Sequence, residues 1–361
     1  MLAVVLAVQS IGHGEQPTSK RQGLGAAVRP PAVLSLDAFG LVVGNLEVAL
    51  AFYRDVIGLE VLTMPSTAEL NPALNALTLT PGAKVRYVRL RIPNEPYALE
   101  LDEYTSIERH AVHANHNDPG SSFINFGVWD GAAAFEKLRK ARPLVISAAG
   151  IPAATPSGQL AAVWIRDPDA HLVEFMQGGW DADRKSVQGI RNVYRSHFGI
   201  TMEHYQQALR FYRDLLGFDI SAGFPPMVAA GQYMSAETFA SVVGVPPQAH
   251  MAGVAGHCAG ARCEMFEFKD APRVEFRPRL QDPGAAYLSL WVSDLDALLG
   301  KVKANGTEVI TSGGVPITLN AREFTLVGGY DTNAPLPVHR SRQIMIRDPC
   351  GFPVLLKQRI D

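Results

Sequence analysis

The feature that most limits what this chain can fold into is a repeat: GLVVGNLEVALAFYRDVIGLEV, from Gly40, recurs from Gly199 as GITMEHYQQALRFYRDLLGFDI. In the first copy Leu46, Ala49, Leu50, Tyr53 and Ile57 share one helical face, and Tyr205, Ala208, Leu209, Tyr212 and Leu216 repeat that spacing. Gly58 and Gly217 stand where a left-handed cap would end each helix, and short β-rich runs follow at Leu59–Leu62 and Phe218–Ser221. A second pair of segments matches as well. Asp118-Pro119-Gly120 precedes an apolar strand at Phe123–Val128, and Asp282-Pro283-Gly284 precedes one at Tyr287–Val292. Apolar helices around Ala132–Leu138 and Leu295–Val302 follow. The closing segments are IRDPDAHLVEFMQ from Ile165 and IRDPCGFPVLLKQ from Ile346, each with an Asp-Pro turn between strands. The chain therefore reads as an α+β protein of four units, each a strand, a helix and three strands, set out as two similar halves.

A chain of 361 residues exceeds the size at which one core keeps growing, which agrees with two domains. The boundaries read as a leader or linker at 1–32, a two-module domain at 33–180, a polar connector at 181–194 and a second two-module domain at 195–361. With 47% hydrophobic and 19% charged residues the chain is an ordinary globular protein. Its 33 basic and 35 acidic residues leave no electrostatic footprint for nucleic acid or an anionic membrane, so a small molecule is the expected partner. The apolar run Leu2–Ile11 is too short to span a bilayer. It reads either as a truncated export signal or as a cytoplasmic leader, because a basic n-region and a cleavage site are both missing. The three cysteines, Cys258, Cys263 and Cys350, form no disulfide or zinc pattern.

The run ALAFYRDVIGLEV, the strands ELDEY and EMFEF, and the ending RDPDAHLVEF together resemble the vicinal oxygen chelate superfamily, which includes glyoxalase I, bleomycin-resistance proteins and extradiol dioxygenases. The resemblance covers nearly everything after Val33. It implies four βαβββ modules paired into two half-barrel domains, with a divalent metal, where present, held by residues of the first and last strands of paired modules. Carried over residue by residue, the first-strand positions are Ala38, Phe123, His197 and Tyr287, and the last-strand positions are Glu100, Glu174, Glu264 and Leu355. Two pairings remain open. Joining second to third and first to fourth, as in single-chain glyoxalases, collects Glu174, His197, Glu264 and Phe123 at one site and Ala38, Glu100, Tyr287 and Leu355 at the other. Pairing within each half, as in extradiol dioxygenases, would instead set His197 and Glu264 beside Tyr287.

By strand alternation Glu264 shares a face with Phe266 and Phe268, and Glu174 with Leu172 and Met176. A carboxylate on an apolar row needs a cation or strong donors. The resemblance makes His197, Glu174 and Glu264 the metal-ligand candidates, with Glu174 or Glu264 also the proton-transfer residue and Phe123 and Tyr287 in the substrate pocket. Glu267 faces the other way. His110, His113 and His116 read as a solvated loop, and His171 as a turn residue able to reach solvent or substrate. The insertions Met64–Gly82 and Phe224–Ala261 read as apolar pocket walls.

The function implied is that of a glyoxalase-like lyase or isomerase using Mn, Mg, Ni or Zn as a Lewis acid on a small substrate with adjacent oxygens. The alternative is a metal-free protein, similar to bleomycin-resistance proteins, that sequesters an aromatic or hydrophobic compound. Tyr287 and Leu355, at positions where extradiol dioxygenases carry ligands, argue against ring cleavage. Four modules in one chain make either a monomer or a homodimer workable.

Overall fold

A computed structural model of the chain describes residues 32–63, 65–152, 161–177, 192–220, 232–235, 237–322 and 338–360. The leader, most of the connector and parts of both insertions lie outside the described residues. The first module comprises β1 (Val33–Val42), β2 (Glu60–Val61), β3 (Glu69–Leu70), β4 (Lys84–Arg91) and β5 (Ala98–Thr105). The second has β6 (Ser122–Val128), β7 (Leu144–Val145), β8 (Ala161–Arg166) and β9 (Leu172–Gln177). The third runs through β10 (Val193–Met202), β11 (Asp219–Ile220), β12 (Met234–Ser235), β13 (His250–Cys258) and β14 (Ala261–Lys269). The fourth holds β15 (Ala286–Val292), β16 (Ile317–Arg322), β17 (Val338–Arg347) and β18 (Pro353–Arg359). In every module the first strand pairs in parallel with the last, β1 with β5, β6 with β9, β10 with β14 and β15 with β18.

The expected α+β fold of repeated modules is the one observed, with two nine-stranded sheets among the described residues. One has the order β16-β17-β18-β15-β1-β5-β4-β2, with β3 on β4, and the other β11-β13-β14-β10-β6-β9-β8-β7, with β12 on β13. The first module is thus joined to the fourth through antiparallel β1 and β15, and the second to the third through antiparallel β6 and β10. Residues 33–180 and 195–361 are repeats in the sequence, and each sheet draws strands from both.

Local chemistry sets the helices. Asn45, Asp130 and Asp294 accept from the backbone N–H three residues on and start helices at Leu46, Gly131 and Leu295. Each copy of the FYRD repeat closes its helix with a π-helical turn, Phe52–Ile57 and Arg210–Leu215. Those turns place Tyr53 and Tyr212 so that their hydroxyls donate to Asp167 (2.8 Å) and Asp348 (2.9 Å), the aspartates of the two IRDP turns. The two repeated motifs therefore bond to each other and tie the two sheets together. Among the described residues no helix is long and apolar enough to cross a membrane.

Phe39 and Phe198, with ring centroids 5.9 Å apart, link β1 and β10 in the main core between the sheets. Strand alternation then directs Ala38 and His197 to the opposite faces of their sheets.

Candidate functional site

Glu264, His197, Asn125 and Glu174 sit on four adjacent strands, β14, β10, β6 and β9. His197 is directly opposite Asn125, Asn125 is level with Glu174, and Glu264 is level with Gly199, two residues along from His197. A row of this kind brings side chains from two modules onto one face, since neighbouring strands are only about 4.8 Å apart. His197 Nε2 lies 3.4 Å from Glu264 Oε2 and 4.0 Å from Glu174 Oε2. All three side chains are buried or nearly so.

Each carboxylate also has a neutral or cationic neighbour. Asn125 Nδ2 donates to Glu174 Oε2 at 2.8 Å, and Arg262 Nη2 donates to Glu264 Oε1 at 2.9 Å. The electrostatics separate the two acids. Burial raises the Glu174 carboxyl to about 7, and the nearby charge of Glu264 adds to the rise. Burial would raise Glu264 too, but His197 and Arg262 overcome it and hold its carboxyl at about 2. His197 is pulled below the usual imidazole range by burial, against the opposing pull of Glu264.

Phe123 forms the apolar wall. Its ring meets His197 edge-on at 5.9 Å and packs 4.6 Å from Trp164, and it crosses the backbone at Gly199, where any Cβ would collide with it. His116 stacks on Trp164 at 4.4 Å and touches the edges of Phe123, Phe266 and Phe268. Burial lowers the His116 imidazole to about 3, so it stays neutral. The solvated-loop reading therefore fails for His116, although His113 is exposed and His110 pairs with exposed Glu108 at 2.9 Å. The aromatic cluster supplied an apolar niche that the flanking polar sequence gave no sign of. His171 is likewise corrected from a reaching turn residue to a structural one. It is buried, with Nδ1 2.9 Å from Asp167 Oδ2 and Nε2 3.0 Å from the Ala285 carbonyl oxygen.

The other sheet gathers Ala38, Glu100, Tyr287 and Leu355. Tyr287 Oη lies 2.7 Å from Glu100 Oε1 and 2.6 Å from Asp102 Oδ2. One phenolic proton cannot serve two carboxylates at once. Burial, reinforced by Glu100, pushes the Asp102 carboxyl well above the usual carboxylate range. Tyr287 also crosses Gly40 as Phe123 crosses Gly199. Leu355 packs with Tyr287, Leu77 and Met345.

The His197 centre offers one imidazole and two carboxylates. Ligands held about 2.0–2.2 Å from one cation lie roughly 3–3.5 Å from each other. The 3.4 Å approach of Glu264 to His197 meets that spacing, and the 4.0 Å approach of Glu174 is slightly long. Glu264 turns its other oxygen to Arg262, which leaves Oε2 towards His197. Among the described residues no group of three or more His, Cys, Asp and Glu is already drawn together as a bound metal requires. The donors fit a divalent cation in kind, with Asn125 and Arg262 placed to steady them from behind.

The family model described as "Glyoxalase/Bleomycin resistance protein/Dioxygenase superfamily" matches residues 35–175 and 195–356. Glyoxalase I from Zea mays is similar in structure, with a TM-score of 0.50 and 12% identity over 90% of this chain and 92% of that one. A candidate dioxygenase from Bacillus subtilis also gives 0.50, with 13% identity over 92% of this chain and 87% of its own. At such identities the likeness is one of fold. No curated protein matches in sequence.

Proposed function

We propose, from the premise that this chain belongs to the glyoxalase, bleomycin-resistance and dioxygenase superfamily, that it is a glyoxalase-like lyase or isomerase acting on a small organic substrate with adjacent oxygens. The observation that carries this reading is the meeting of His197, Glu174 and Glu264, contributed by the third, second and third modules, on one sheet face. His197, Glu264 and Glu174 would hold a divalent cation (Mn, Mg, Ni or Zn), which would supply Lewis-acid polarisation of substrate oxygens.

The protein's own part is proton transfer and exclusion of water. Burial and the neighbouring charge of Glu264 make Glu174 the more readily protonated of the two acids in the cation-free protein, which assigns the proton-transfer role to it. Two acids whose environments drive them apart divide the work, and Glu264 stays ionised. Asn125 fixes the Glu174 carboxylate through Oε2, the oxygen nearer His197. Phe123 and Trp164 close the apolar side.

A second reading, a metal-free binding protein for an aromatic or hydrophobic compound, is favoured by the protein donors that both carboxylates already have, Arg262 and Asn125. One experiment separates the two. Purified protein is stripped with chelator and titrated with Mn²⁺ and Zn²⁺ while heat released and thermal stability are followed. The enzyme reading expects about one cation per chain, with affinity reduced roughly 10- to 100-fold or more in His197→Ala and unchanged in His113→Ala. No heat, and no change in stability on adding cation, sinks it in favour of the binder.

A further inference from the structure

On the face of the other sheet, under the helix Pro72–Thr78, lies a cleft of about 310 Å³. That volume is at the lower end of the roughly 300–1,000 Å³ common for small-molecule sites. None of its lining residues belongs to the His197 centre.

Asp37 is the unusual residue in its floor. In β1, Leu36 pairs with Leu290 and Ala38 with Ser289, so Asp37 is an extra residue in a β-bulge. Bulges re-aim a side chain, and Asp37 lines the cleft beside Ser289 and Glu100. Lys357 Nζ (2.5 Å), Arg89 Nη2 (2.8 Å) and Ser289 Oγ (3.2 Å) all donate to the same oxygen, Asp37 Oδ2. Asp37 Oδ1 is buried, and among the described residues it has no hydrogen-bond partner. A buried acceptor left without a donor is costly, and a donor brought in from outside, whether water or a ligand, relieves that cost.

Two of the acids in the cleft are paired with its two cations. Asp37 pairs with Lys357 and Arg89, and Arg89 Nε also pairs with Glu100 at 2.9 Å. Burial alone would raise Asp37, but Arg89 and Lys357 hold it at about 2, so it remains a charged acceptor. Asp102 and Glu69 line the cleft as well, so the lining carries no surplus positive charge to hold an anion. The walls are apolar, with Leu74, Leu77, Met345 and Leu355 around the opening.

We propose that this cleft is a second, metal-independent binding site, which takes a neutral organic molecule about one ring in size through a hydroxyl or amide N–H donated to Asp37 Oδ1. The apolar body of the ligand lies against Leu74, Leu77, Met345 and Leu355. A ligand carbonyl oxygen is placed to accept from Lys357, whose ammonium carries three donors, gives one to Asp37 and lies 4.4 Å from the Trp291 ring centroid. The site stands on its own geometry and does not depend on the reading of the His197 centre.

The test is calorimetric titration of the chelator-treated full chain with para-hydroxyacetophenone, which is neutral and carries both a donor and a carbonyl. Two controls accompany it: para-methoxyacetophenone, which lacks the donor, and para-hydroxybenzoate, which is anionic. The expected result is saturable binding of the first, with both controls weaker by about tenfold or more. Leu74→Trp, which fills the cleft from the helix without touching the ion pairs, abolishes binding; Asp37→Asn weakens it if that variant folds. His197→Ala binds as the parent does. The proposal is overturned by absence of saturable binding at millimolar concentration, by equal affinity for all three compounds, by binding that survives Leu74→Trp, or by binding lost in His197→Ala.

Discussion

Two carboxylates on one buried sheet face cannot both carry charge cheaply, and the protein resolves this at Glu174. Its folded-state carboxyl stands at about 7 against an ordinary value of 4.5. The folded chain therefore holds a proton that the unfolded chain has released across that interval, so the contribution of Glu174 to stability falls as pH rises through the window. Above it, folding buries a charge. In chelator-treated protein, Glu174→Gln is expected to be more stable than the parent at about pH 8, by on the order of 1–3 kcal/mol, and equal to it at about pH 4. Urea melts at the two pH values check this, and parallel pH profiles for both proteins would count against it. The positions of Glu174, His197 and Glu264 were legible from strand alternation and family resemblance. Arg262 and Asn125 were legible in principle, since each is two residues from a named site residue and so on the same face. Asp37 and His116 were not, because one depends on a bulge and the other on an aromatic niche assembled from distant strands.

At the scale of elements, the repeated glycines explain why both aromatic walls fit. Gly40 and Gly199 lie opposite Tyr287 and Phe123, and the rings cross the backbone where a side chain would otherwise stand. Phe123 is packed against Trp164 and Phe266, and Tyr287 is tied by its hydroxyl, so neither ring can give way. Gly199→Ala should then cost roughly 1–3 kcal/mol through overpacking, with part of the loss recovered by adding Phe123→Leu. Gly300, inside the helix Leu295–Ala304, has open space around its would-be Cβ. Gly300→Ala should stabilise by up to about 1 kcal/mol. Thermal melts of the three variants measure both signs, and a neutral Gly199→Ala would mean that the ring is free to move. The same packing shows what sequence periodicity can and cannot give. Helix starts at Asn45, Asp130 and Asp294 and the Gly58 stop follow from local chemistry. The π-helical turns and the Tyr53–Asp167 bond needed the tertiary partner, because nothing local distinguishes a turn aspartate from one that also accepts a buried phenol.

At the scale of the whole molecule, the order of modules in the chain is not their order in space. The first half alone contains β1 and β6 without the strands that cover them, β15 and β10, so an isolated half exposes two long apolar edges. Since β6 corresponds to β15 in the repeat, as β1 does to β10, each half can satisfy those edges by pairing with a second copy of itself. The site contents then change. A dimer of the first half would set Glu100 and Glu174 with Phe123 and Ala38, and a dimer of the second would set His197 and Glu264 with Tyr287 and Leu355. Neither rebuilds the meeting of His197, Glu264 and Glu174, which requires β9 and β10 in the same sheet. Produced separately, residues 33–180 and 192–361 are therefore expected to self-associate or aggregate, and to form a one-to-one complex when refolded together. Under the proposed function, only that complex should bind Mn²⁺ or Zn²⁺ in a manner sensitive to both His197→Ala and Glu174→Gln. Size-exclusion chromatography and cation titration of each fragment and of the mixture decide the matter. If residues 192–361 alone bind cation as tightly as the whole chain does, Glu174 is not a ligand, and the centre must be completed within the second half.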